Sequence, residues 1–132
     1  MRTKTRLAFR AFAVAAALLA TAQPALGSLA FFRAGDRVDY ETIHLVVGGI
    51  LYNLAIVLAV LALFTRFRRR WLLFWLCLAQ YGLVHLQLRL GLGSNNDTGL
   101  LAYHVPLGVL IFFLSYLTMA LAFGGRVEAS QA

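Results

Sequence analysis

Four stretches of this 132-residue chain, residues 7–32, 43–65, 71–88 and 100–123, are almost free of charge, with Arg10 the one exception. A helix needs about 20 predominantly apolar residues to cross the hydrocarbon core of a bilayer, and each stretch comes close to that length or passes it. Outer-membrane barrel strands alternate apolar and polar residues over about ten positions; residues 54–63, Leu-Ala-Ile-Val-Leu-Ala-Val-Leu-Ala-Leu, do not alternate. The chain is therefore expected to be all-α and polytopic, one domain with transmembrane spans near residues 8–31, 42–65, 71–90 and 100–123. With 61% apolar and 13% charged residues, it lies far from the balance of a soluble domain. The links are short, and short links force antiparallel neighbours. The expected architecture is an up-down-up-down four-helix bundle.

The net charge of +7 raises the question of nucleic acid, and the placement of the bases answers it. Arg2, Lys4, Arg6 and Arg10 precede or open the first span, Arg66, Arg68, Arg69 and Arg70 fill the link between the second and third, and Arg126 follows the fourth. The opposite side carries Arg33, Arg37 and Arg89 with Asp36, Asp39, Glu41 and Asp97. This is the positive-inside pattern of a multi-pass protein of the bacterial inner membrane, with both termini cytoplasmic. The basic clusters read as topology signals and contacts to anionic lipid, with the bilayer as partner and no nucleic acid. A basic start, apolar residues 11–22 and the small residues around Gly27 also resemble a secretory signal peptide. Apolar character continues through Phe32, past any cleavage site near Gly27, so the first span is expected to be retained.

His44 and His104 are the chemically informative residues. Each opens an apolar span on the outer side and has a glycine four residues on, Gly48 and Gly108. Ionisable groups within a membrane span are functional-site candidates by default. Asp39 or Thr42 can cap the second helix and Asp97 or Thr98 the fourth. The positive end of a helix and low dielectric both favour neutral imidazole, the form that ligates a metal. The halves also read as a tandem repeat: Ala22-Gln23-x-x-Leu26-x-x-Leu29 matches Ala79-Gln80-x-x-Leu83-x-x-Leu86, and His44-x-x-x-Gly48 matches His104-x-x-x-Gly108. Repeats related by an axis along the membrane normal would bring the two histidines to opposite sides of one cavity.

That arrangement suits haem b held between His44 and His104, with Gly48 and Gly108 leaving room for the macrocycle and Arg33, Arg37 or Arg89 pairing with propionates. His85, one turn deeper than Arg89, is a lesser candidate ligand. The competing reading is structural: small residues at one-turn spacing serve helix packing, and Gln23, Gln80, Tyr52 and Asn53 hydrogen-bond between helices. Cys77, the single cysteine, allows no intramolecular disulfide and reads as a small buried hydrophobe. No HExxH, P-loop or Ser/His/Asp set is present, and no Asp or Glu lies deep in a span. An independent enzyme is the weakest reading.

Gln23-x-x-x-Gly27 near the outer end of one helix, a polar outer loop, and a helix opening His-x-x-x-Gly resemble half of a haem A synthase, and small four-helix bacterial membrane proteins built like one such half. The resemblance spans roughly residues 15–125. It implies that His44 and His104 are axial haem ligands and that Gln23 and Gln80 occupy equivalent glutamine positions. The chain departs from that family in having half its spans, no loop cysteine and no Glu-x-x-His pair on the first helix. Those departures bear against oxygenation chemistry and leave haem binding open. Two functions follow as expectations: a b-type cytochrome-like protein passing electrons to membrane redox proteins, or a cofactor-free accessory subunit packing against a larger complex or its own copies.

Overall fold

The structure, a computed structural model, describes residues 2–33, 38–94 and 97–124. It is a bundle of four helices, α1 (Arg2–Phe32), α2 (Tyr40–Phe64), α3 (Arg70–Ser94) and α4 (Leu101–Gly124), with a single 3-10 turn (Thr98–Leu100) leading into α4. All four are long and apolar enough to cross a membrane. Each packs against its sequence neighbours, and α4 closes on α1, so the helices form a ring with α2 diagonal to α4. The protein is a multi-pass membrane protein.

Small residues set how closely the helices approach. The buried stripe of α1 is Ala13, Ala16, Ala17 and Ala20, spaced three and four apart as one helix face requires. Facing it, α2 buries Gly48, Ala55, Ala59 and Ala62 around Leu51 and Leu58. Between helices in lipid there is little hydrophobic driving force, so close packing of such faces supplies much of the association. Polar contacts add to it: fully buried Gln80 donates to Ser115 Oγ at 2.7 Å, tying α3 to α4. Cys77 is buried in the same core.

At the basic end, residues that look like the start of a signal peptide are built into the fold. Phe9 is fully buried, with its ring 5.7 Å from that of Phe67 in the link between α2 and α3. Arg10 donates from Nε to the carbonyl of Ala122 at 3.0 Å and lies over the rings of Phe67 and Phe123. The last carbonyls of α4 have no partner within the helix, and a guanidinium there meets both that need and the negative end of the dipole.

At the opposite end, Asp39 caps α2, accepting from the Thr42 N–H at 2.9 Å and the Thr42 hydroxyl at 2.6 Å. Asp97 accepts from the Gly99 N–H at 2.9 Å and caps the short turn before α4. The glycine-rich stretch expected to be an outer loop from residue 91 is helical as far as Ser94. Gly91 lies under the His104 ring of α4, and Ser94 donates from Oγ to the Gly91 carbonyl at 2.6 Å within this last turn. Asp36, Arg37 and Arg126 lie outside the described residues.

Candidate functional site

The site sits at the end of the bundle away from the basic α2–α3 link, where the first turns of α2 and α4 lie across the diagonal from each other. Starting α2 at Tyr40 and α4 at Leu101 places His44 and His104 just inside their helices. Their ring centroids are 6.2 Å apart, inclined at 59°. Both side chains are half-buried.

Each imidazole rests on a glycine of the preceding helix. A Cβ at Gly27 would lie 3.2 Å from Cε1 of His44, and one at Gly91 only 3.0 Å from Cε1 of His104. A glutamine one turn deeper accompanies each glycine. Gln23 donates from Nε2 to the His44 carbonyl at 3.2 Å. In the other half, His104 Nδ1 meets the Gln87 carbonyl at 3.1 Å. A carbonyl oxygen only accepts, so Nδ1 of His104 carries the proton and the Nε2 lone pair is left free. His44 Nδ1 is buried and has no hydrogen-bond partner among the described residues, as has the side-chain oxygen of Gln87.

These contacts correct the register of the repeat. The counterpart of Gln23-x-x-x-Gly27 is Gln87-x-x-x-Gly91, seven residues beyond the Gln80 that matching on leucines selects. Gln80 is about 10 Å deeper by the rise of a helix and is engaged with Ser115. The duplicated unit is therefore Gln-x-x-x-Gly on one helix packed against His-x-x-x-Gly on the next. The signal was legible, since the same Gln-x-x-x-Gly pattern occurs in both α1 and α3. A longer run of leucine and alanine identities outweighed it.

The second pair of glycines does a different task from the one expected. A Cβ at Gly48 would meet Leu88 Cδ2 at 3.2 Å and Gln23 Nε2 at 3.4 Å; at Gly108 it would meet Gln87 Nε2 at 3.1 Å. Gly48 and Gly108 thus admit the glutamine amides, while Gly27 and Gly91 admit the imidazoles. Arg33 and Arg89 are both exposed. Arg89 is two residues from Gln87 and from Gly91, about 160° away around α3 from each, so it stands on the far side of the helix from the pair. His85 is exposed on α3, its ring 5.9 Å from that of Tyr52, apart from His44 and His104. Among the described residues, no three His, Cys, Asp or Glu side chains come together.

What the pair can do follows from its dimensions. Two metal–imidazole bonds of about 2 Å, extended by the ring radii, put imidazole centroids about 6 Å apart across one metal ion. The 6.2 Å separation is of that size, and Nε2 of His104 is not engaged by the Gln87 carbonyl. Two imidazoles at this spacing are the donor set that bis-imidazole ligation uses. No family model, curated protein or solved structure matches this chain.

Proposed function

We propose that this protein binds haem b between His44 and His104 at the outer mouth of the bundle and serves membrane electron transfer. The observation that carries the reading is the 6.2 Å separation of two imidazoles presented from diagonal helices. Gln87 would hold His104 in its Nδ1-protonated form, since a second partner on the remote nitrogen is the usual device for fixing a ligating histidine. Gly27 and Gly91 provide the seats from which the rings face one another. Bound there, haem would supply one-electron chemistry. The segregation of bases supports an inner-membrane location in bacteria with both termini cytoplasmic, which puts the histidine pair on the outer side, where redox proteins of that compartment or membrane would exchange electrons with it.

An absorption spectrum tests this. Protein purified in detergent from haem-replete cells should show a Soret band that shifts on dithionite reduction. His44→Ala and His104→Ala should each lose it, whereas His85→Ala should keep it. Colourless protein, or a band indifferent to both substitutions, would sink the proposal.

A further inference from the structure

A second polar cluster lies away from the histidine pair, on the face of the bundle where α2 meets α3. The hydroxyls of Tyr52 and Tyr81 are hydrogen-bonded to each other, and their rings stack with centroids 4.5 Å apart. The His85 ring packs 5.9 Å from Tyr52 and is exposed. Next to them on the surface, a Cβ at Gly49 or Gly82 would meet nothing within 4 Å.

The duplicated architecture makes this cluster conspicuous. Superposing His44 on His104 and Gln23 on Gln87 pairs Tyr52 with Phe112, Asn53 with Phe113, Gly49 with Val109, Tyr81 with Ala17 and His85 with Thr21. At the corresponding depth the α4–α1 face is accordingly apolar, apart from one hydroxyl contact between Thr21 and Tyr116; the Arg10 bond to the Ala122 carbonyl lies at the basic end. The same fold is thus built there without tyrosine, histidine or glycine at these positions. Helix packing does not require them on the α2–α3 face.

Depth and valence define what they face. Tyr52 is the middle residue of α2, and Tyr81 is one residue from the middle of α3. In a hydrocarbon core about 30 Å thick, phospholipid ester carbonyls lie about 15 Å from that level. When two hydroxyls share one hydrogen bond, one of them keeps an O–H with no acceptor. Neither has another partner among the described residues, and His85 has no hydrogen-bond partner among them. Donors left bare in hydrocarbon are costly. We infer that the α2–α3 face is a binding site for a lipid-soluble, planar ring with carbonyl acceptors, a quinone, lying against the tyrosine stack with its carbonyls on His85 and the free hydroxyl.

The inference stands independently of haem, and its test reads binding alone. Full-length protein in detergent micelles is photolabelled with an azidoquinone, with decylubiquinone as competitor. Labelling should be saturable, confined to peptides of α2 and α3, and displaced by decylubiquinone. His85→Leu and Tyr81→Phe should weaken displacement at least tenfold, while His44→Ala should leave it unchanged. His85→Leu alters an exposed side chain, so unchanged helicity and a monodisperse elution profile separate lost binding from misfolding. Labelling spread over all four helices, or displacement unaffected by His85→Leu, would overturn the inference. So would efficient disulfide formation between two copies carrying Gly82→Cys, which would assign this face to self-association.

Discussion

At the scale of single residues, the site depends on two absent side chains. Gly91 has no Cβ, and His104 therefore lies over it and reaches the Gln87 carbonyl. Gly91→Ala would gain up to about 1 kcal/mol of helix propensity, set against about 1–3 kcal/mol for forcing an atom into a packed contact. The sum favours destabilisation, and where the pair holds haem as we propose, the displaced ring should lower haem affinity about 10–100-fold, the range seen when a ligand's supporting partner is lost. Gly82→Ala meets open space and should be neutral or stabilising with haem content unchanged. Haem titration and thermal melts of the two variants check both halves of this contrast. Asp39 supplies a pH dependence. The Thr42 hydroxyl, then the Thr42 backbone N–H, hold its carboxyl below the ordinary carboxylate range. A group with a depressed folded pKa stabilises the fold above its unfolded pKa and loses that contribution as pH falls through the folded value. Asp39→Ala should therefore melt below wild type at pH 7, with the gap closing as pH drops below about 4. A gap that persists unchanged into acid would show that the charge-assisted cap contributes nothing.

Among the elements, α1 has the most specific demand on its sequence. Its buried stripe is alanine because α2 and α4 approach at that distance, and Ala16 is almost fully buried. Ala16→Leu should destabilise the bundle by about 1–3 kcal/mol, since a well-packed core has no space for the added carbons. Leu18→Ala, on the exposed face, should have little effect; reversible unfolding in mixed micelles compares them. The same packing bears on processing. Removing residues 1–27 would strip out Phe9, Arg10 and the alanine stripe together with Gln23 and Gly27, so the folded protein should show these residues in its intact mass. The number, type and order of helices were legible in the sequence because an apolar run of bilayer length has few alternatives. Helix ends were less so: α3 runs on to Ser94 through a stretch whose glycines read locally as a loop, and Gly91 there lies against His104 of α4, a tertiary contact that local composition does not encode. His44 and His104 were legible as a pair. The roles of Gly27, Gln87 and Gly91 were not, since in a leucine-rich segment several registers of a repeat score alike and only interhelical contact selects among them.

For the molecule as a whole, orientation decides which compartment meets each site. The buried side chains of α1, from Phe9 to Ala20, and of α4, from Ile111 to Ala122, lie toward the end that carries Arg10 and the α2–α3 link, but packing carries no information on which side of a membrane that end faces. Charge does. Arg66, Arg68, Arg69 and Arg70 are all exposed in or beside the link between α2 and α3, at the same end as Arg10. Cytoplasmic retention of such short basic links is what sets topology, and acidic residues contribute little. In the orientation we propose, with these four arginines at the cytoplasmic face, His44 and His104 open outward and the tyrosine stack lies at mid-depth. Replacing all four by glutamine removes the strongest retention signal in the chain while leaving the buried core untouched. A periplasm-active phosphatase fused behind the last residue should be silent in the wild type. In the four-fold variant it should gain activity in a fraction of the molecules, because Arg2, Lys4, Arg6 and Arg10 still hold the amino-terminal end inside. Phosphatase activity at full level in the wild type would invert the orientation and move the histidine pair to the cytoplasmic side.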